Sequence, residues 1–357
     1  MIKQYSKLFF LTIIFTFYNF SFLKGHPLSD ELADLVEKLF LLFLKILCSN
    51  QPSSTIPVST YSIVAYDPKT GQLGVAVQSH WFSVGFLVPW AKAGVGAVAT
   101  QSFVKVEYGP DGLGLMEEGL TSDQALEALL KEDKAKDVRQ VAMVDIKGNV
   151  AVHTGIKCIY AAGHHVGKNY SVQANMMEKE SVWSAMSHAY ENTAGDLADR
   201  MMAALEAAEK EGGDIRGKQS AAMLIVSGEP TGVSWKDIDM DIRVDDHLNP
   251  LIELKRLIRI SRAYQHANKG DYYLEIDQID NALEEYKLAS SYYPDNPELP
   301  YWSAVALSSS GDFDRALPIF KDVFKKEPRL RILTPRLVKA GLLPDDSDLI
   351  SKIINIK

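Results

Sequence analysis

The apolar positions between residues 60 and 247 change their period several times, and each change marks an element. Residues 61–67 and 73–79 are β-rich runs on either side of PKTGQ, whose Pro68 and Gly71 supply turn chemistry, so the pattern predicts a hairpin. AGVGAVATQSF, residues 93–103, is rich in small side chains and reads as a buried strand in which Gly94 and Gly96 let a neighbouring layer approach. The period then turns helical: Thr121 and Gln124 have capping-box spacing, and Leu126, Leu129 and Leu130 follow on one face. RQVAMVDIKGNVAVHTG is a second strand pair, turning at residues 147–149. Residues 181–213 read as two helices, the second placing Leu197, Met201, Leu205 and Ala208 on one face before Gly212 and Gly213 end it. SAAMLIVSG and DIDMDIRVDDH return to strand. This order predicts an α+β fold with sheets inside and helices outside. The glycines of GVGAVATQ are not a dinucleotide loop, because no third glycine opens a helix.

Residues 248–357 differ in kind. Ala282, Tyr286, Ala289 and Pro294 recur as Ala316, Phe320, Val323 and Pro328, each pair 34 residues apart. A repeat of that length, with small residues where helices cross and a proline ending the second helix, resembles the tetratricopeptide repeat. Helices at 251–267 and 346–356 are expected to flank the two copies. Tyr286, Tyr292, Tyr293, Trp302 and Phe313 could line a groove for a protein partner or serve as inter-helix core.

Charge narrows the function classes. The formal net charge is −8, or −9 without residues 1–50, which argues against nucleic-acid or anionic-membrane binding as the main task. At the N-terminus Lys3 and Lys7 precede an apolar run at 8–23, short for a membrane span and in keeping with a secretory signal. A second apolar run at 39–48 looks like a short signal by itself, so residues 1–50 read as leader and 51–59 as linker. An exported protein is expected, periplasmic or extracellular, with an uncleaved membrane anchor as the alternative. Cys48 follows Leu47, where lipoprotein processing requires a small side chain. Cys158 alone would remain in the mature chain, so stability must come from the core and not from an internal disulfide.

Several spaced segments carry a resemblance: TYSIVAYDPKTGQLGVAVQS, VGFLVPWAKAGVGAVATQ, YGPDGLGLMEEGLTSDQALEALL, YSVQANMM, GGDIRGKQSAAMLIV and DIRVDDH. Together they resemble the family catalogued as domain of unknown function 1028, over about residues 60 to 260. The resemblance implies the fold of the N-terminal-nucleophile (Ntn) hydrolases, a four-layer αββα sandwich at 60–247, followed here by the small all-α repeat domain at 248–357. It also implies a role for Thr60. In such enzymes a Thr, Ser or Cys becomes the first residue after processing. Its side chain attacks an amide carbonyl while its own α-amine, with an ordinary pKa near 8, takes the proton. Threonine is also a common strand opener. Ser59 and Ser62 are poorer candidates for the nucleophile.

Other roles follow from the same resemblance. Lys92 would supply positive charge to the nucleophile, since Val77, Gln78 and Ser79 stand where proteasome-like relatives of the fold carry an acidic residue. Asn175 and Gln101 could donate amide hydrogens to a tetrahedral oxyanion, and Ser79 and Gln219 could orient substrate. The expected substrate is an amide or peptide, with an envelope component as one class; no cofactor is expected, and the expected assembly is a homo-oligomer. A metal at Asp245, Asp246 and His247 is chemically conceivable, but pairing of Arg243 with its acidic neighbours and a turn role for His247 are the expectation. His164 and His165 are adjacent, a poor spacing for one ion. The rival to the hydrolase is a non-catalytic envelope scaffold that binds through its repeats.

Overall fold

A computed structural model of the chain describes Val58 and residues 60–356. The expected leader with its two apolar runs, Cys48, and all of the linker but Val58 lie outside the described residues. Among the described residues no helix is long and apolar enough to cross a membrane.

Strands β1 (Thr60–Tyr66) and β2 (Leu73–Ser79) form the expected hairpin, with Thr60 already inside the strand. Its turn is set by Asp67, whose Oδ1 accepts the Lys69 N–H at 3.0 Å, and by Gly71 at φ 77°, a left-handed backbone that glycine adopts freely. The strands β7 (Gly163–Gly167), β8 (Tyr170–Asn175), β9 (Ser220–Val226) and β10 (Ile238–Val244) complete a six-stranded sheet in the order β10-β9-β2-β1-β8-β7. A four-stranded sheet runs β3-β4-β5-β6, from β3 (Pro89–Lys92), β4 (Gly96–Ser102), β5 (Arg139–Asp145) and β6 (Val150–Thr154). All ladders in both sheets are antiparallel.

Period-two alternation decides which layer each strand face meets. Tyr61, Ile63 and Ala65 of β1 are buried with Met186 and Met201, which lie on helices α3 (Val182–Asn192) and α4 (Leu197–Lys210). Val64, Val75 and Val77 point the other way and share a core with Ala97 and Ala99 of β4 and Ala142 and Val144 of β5. On the outer face of the smaller sheet, Val98, Val141 and Met143 pack with helices α1 (Tyr108–Glu117) and α2 (Ser122–Glu132). Helices, sheet, sheet and helices therefore follow one another. Each fully buried Val, Leu or Met contributes roughly 1.5–3 kcal/mol over exposure, so these cores hold the domain although Cys158 is a free thiol.

Helix α2 begins with the expected capping box: the Gln124 N–H donates to Thr121 Oγ1 at 3.3 Å and the Thr121 N–H to Gln124 Oε1 at 3.0 Å. Helix α1 was not legible, because Gly109, Gly112 and Gly114 break its propensity. Two of these glycines serve close packing: a Cβ on Gly109 would lie 2.3 Å from the Trp90 ring, and one on Gly112 2.7 Å from Met143 Cε. Gly109→Ala is therefore expected to destabilise by about 1–3 kcal/mol through overpacking. Gly114, whose Cβ would meet nothing within 4 Å, should gain about 0.5–1 kcal/mol as alanine. Thermal melts of the two variants check this opposition of sign.

The C-terminal region is helical, and α5 (Pro250–Glu275) joins it to the sheets. Arg262 of α5 reaches Asp196 at 2.7 Å and Asp199 at 2.9 Å at the start of α4, and Gln265 donates to the Asp239 carbonyl at 2.6 Å. The expected helix at 251–267 continues through Gly270, where the absence of a side chain lets Tyr286 of α6 (Ile279–Tyr292) cross closely. Helices α7 (Glu298–Ser309), α8 (Phe313–Lys326), the short α9 (Arg329–Leu333) and α10 (Ser347–Ile354) follow. Ala282, Tyr286 and Ala289 of α6 and Ala316, Phe320 and Val323 of α8 are all buried, in keeping with their 34-residue offset.

Candidate functional site

The space between the two sheets is apolar over most of its length and turns polar at one end. The change can be followed along each strand by steps of two. In β1 it runs from Val64 to Ser62 and Thr60, in β2 from Val77 to Ser79, and in β4 from Ala99 to Gln101. In β5 it runs from Ala142 to Gln140 and in β9 from Ala222 to Ser220, while β8 contributes Ser171, Gln173 and Asn175. All of these polar residues are fully buried, so each must find partners inside.

Ser220 bonds the Trp81 carbonyl and the Val84 N–H; the others partner chiefly one another. Ser62 Oγ donates to Gln101 Oε1 at 2.6 Å across the sheets and accepts from Gln173 Nε2 at 2.6 Å. Ser171 Oγ donates to Gln173 Oε1 at 3.0 Å. Gln140 is the hub: its Oε1 accepts from Gln101 Nε2 at 2.7 Å and from Asn175 Nδ2 at 3.0 Å. Its Nε2 faces Thr154 Oγ1 at 2.9 Å, the Ala174 carbonyl at 2.9 Å and the Gly163 carbonyl at 3.2 Å. Thr154 Oγ1 lies 2.9 Å from His164 Nδ1, so the network extends to the edge strand β7. Partial desolvation of its ring, followed by the neighbouring His153 and His165, lowers the pKa of His164 and favours its neutral form.

Thr60 stands at the end of this network, in register with Ser79 on one side and Asn175 on the other. Its Oγ1 donates to the Val58 carbonyl at 2.9 Å and lies 3.3 Å from Ser79 Oγ. Gln101 Nε2 and Asn175 Nδ2 converge on its carbonyl at 3.3 and 3.4 Å. Val58 bridges Ser102 through both backbone groups and is itself buried. Behind the strand, on the helix side, the Tyr61 hydroxyl sits between Gln78 and Glu209. Burial first, and then Glu209, raise its pKa well above the usual value, so it stays protonated.

The structure thus brings together four of the residues singled out in the sequence: Thr60, Ser79, Gln101 and Asn175. Lys92 is elsewhere. It lies half-exposed at the end of β3 opposite Gly96 and is ion-paired with Glu117 at 2.6 Å. Thr60 lies near Ser102, six residues further along β4, or roughly 20 Å at the strand rise. Lys92 therefore cannot supply charge to Thr60. Gln219 is at the rim, its amide donating to Asp246 Oδ1 at 3.0 Å, one residue out of phase with the inward-facing Ser220. Asp245, Asp246 and His247 point to separate partners, namely Ser83, Gln219 and the Asn249 N–H, and Arg243 pairs with Asp241 at 3.0 Å. Among the described residues no three His, Cys, Asp or Glu side chains converge as a metal site. The sequence reading missed Gln140, Gln173, Ser171 and Thr154; the available signal was polar residues two apart at one end of otherwise apolar strands.

Comparison with known proteins agrees with the extent of this domain. The model of the family of unknown function DUF1028 matches residues 60–254, from the first residue of β1 into the first turn of α5. A crystal structure of a Silicibacter pomeroyi protein, described as belonging to the same family, is 29% identical with a TM-score of 0.50. That likeness covers 56% of this chain and 88% of the other. No curated protein matches the chain. Through its two sheets and their flanking helices, the chain belongs to the DUF1028 family.

Proposed function

We propose that this protein is an exported hydrolase of the Ntn type, cutting an amide bond with Thr60 once residue 60 has become the first of the chain. The layer order of helices, sheet, sheet and helices supports assignment to the αββα Ntn sandwich. The observation that carries the reading is the position of Thr60: its hydroxyl lies at the polar end of an otherwise apolar inter-sheet space, with the amides of Gln101 and Asn175 converging on the same residue. In the proposed reaction Oγ1 attacks the substrate carbonyl and its proton passes to the free α-amine. Gln101 and Asn175 donate to the oxyanion. The C–N bond breaks, the departing amine takes the proton back, and water then cleaves the Thr60 ester. Ser79, 3.3 Å from Oγ1, orients the attacking hydroxyl. The helical region, read as a short tetratricopeptide-like module, would engage a protein partner.

A chain released at Thr60 is expected to turn over small amides, and a chain keeping Ser59 is not, because an acylated nitrogen has no basic lone pair. Equal rates for the two chains, measured on a panel of chromogenic anilides, would remove the α-amine from the mechanism. The non-catalytic scaffold is favoured by a different observation: Thr60 is fully buried and closed off by Val58. It predicts that neither chain turns over any amide.

A further inference from the structure

We infer that the place taken by Val58 is the acyl-side subsite of this enzyme. Its substrate would be an extended peptide, or peptide-like acyl chain, carrying a valine-sized aliphatic side chain on the residue before the one whose carbonyl is attacked. The inference rests on the hydrolase reading above and adds the substrate class to it.

Three observations converge. Val58 is held as an added strand residue: its N–H donates to the Ser102 carbonyl at 2.7 Å and its carbonyl accepts the Ser102 N–H at 3.1 Å. Its side chain is 1% exposed and belongs to the same apolar cluster as Val84, Val88 and Val104. Its carbonyl oxygen is 2.9 Å from Thr60 Oγ1, so a backbone seated here passes directly by the nucleophile. Ser102 meets it with a left-handed backbone at φ 69°, which a non-glycine residue adopts only where its surroundings impose it.

Release of the chain at Thr60 frees the Ser102 N–H and C=O together with an apolar hollow. Paired backbone groups in an enclosed place require a partner with the same donor and acceptor spacing, which an extended peptide provides. The hollow adds selectivity, because an aliphatic side chain fills it and a carboxylate would be buried there without a partner. Val58 would therefore occupy the site as the substrate's aliphatic residue later does. Gln101 and Asn175 act on the reacting carbonyl and Ser79 on the attacking hydroxyl, whereas Ser102 reads the chain one residue further back.

The test uses two acetylated peptide amides: Thr-Ile-Pro-Val-Ser, which copies residues 55–59, and its counterpart with Asp for Val. Binding is measured by calorimetry to the Thr60→Ala chain released at residue 60, which cannot turn them over. The ten strands of the described residues lie within residues 60–356, and a melting curve verifies the fold of that chain. The Val peptide is expected to bind about tenfold or more tightly than the Asp peptide, and the full-length chain should bind neither. Equal affinities, no binding, or equal binding to the full-length chain would overturn the inference. Should the released chain not fold, full-length Val58→Asp provides the second test: it should admit the Val peptide that the unaltered chain excludes, and continued exclusion would count against the subsite. Selective binding without any turnover by the Thr60 chain sinks the hydrolase reading and leaves the subsite standing. Turnover of small amides with no preference between the peptides does the reverse.

Discussion

Replacing Thr60 by Ala in the chain released at residue 60 is expected to lower amide hydrolysis by about a thousandfold or more, since removing a nucleophile abolishes the step that all others serve. The reason is positional. Thr60 is the terminal hydroxyl of the inward-facing row that continues through Ser62 to Val64, and it alone among them has both an adjacent backbone nitrogen at the strand start and Ser79 within 3.3 Å. Ser62 cannot replace it: its Oγ is committed to Gln101 and Gln173 at 2.6 Å each, inside a continuous strand. Thr60→Ser keeps the hydroxyl and should retain activity within about tenfold, which separates chemistry from packing. The alanine variant gives up one hydroxyl hydrogen bond, about 1 kcal/mol, so it should melt within a few degrees of the parent. Loss of activity together with loss of fold would instead assign Thr60 a structural task.

The largest stability effect is expected at Gln140. Its amide, itself fully buried, ties β5 to β4, β6, β7 and β8 through five polar contacts. Gln140→Met keeps the volume and removes every one of them, taking from Gln101 and Asn175 their shortest acceptor and leaving their amides only longer contacts such as those to the Thr60 carbonyl at 3.3 and 3.4 Å. Buried polar groups stripped of partners cost about 1–3 kcal/mol each, and networks lose more than single bonds suggest. We therefore expect a loss of roughly 2–4 kcal/mol, read as a lower urea midpoint. Gln219→Met, at the rim with its amide on Asp246, is the control and should change stability by about 0.5 kcal/mol or less. Similar costs at the two glutamines would mean that the inter-sheet network does not hold the site.

The contrast between those glutamines also marks what the sequence could reveal. Local patterns carried the hairpin of β1 and β2, the capping box at Thr121, the glycine-terminated α4 and the buried positions Ala282 and Ala316 of the 34-residue offset, because each is set by residues near one another in the chain. Gln101, Gln140 and Gln173 come from three strands far apart in sequence, and their meeting depends on the register of both sheets and on how one sheet lies over the other. No local pattern encodes that. For the same reason Lys92 looked available to Thr60: its four-residue strand was not legible, so neither was its place at the opposite end. The edge strand β7 escaped because GHHVG has little apolar alternation to mark it, its exposed histidines needing no buried partner layer. Helix α1 escaped because its glycines answer to Trp90 and Met143, across the packing, and not to helix propensity.

The central claim is that the working molecule begins at Thr60. Intact-mass analysis and N-terminal sequencing of hydrolytically active protein, purified without a tag, test it most directly. The account predicts a chain whose first residue is Thr60 with an unmodified amine; active protein that still carries Ser59 or anything before it would contradict the account.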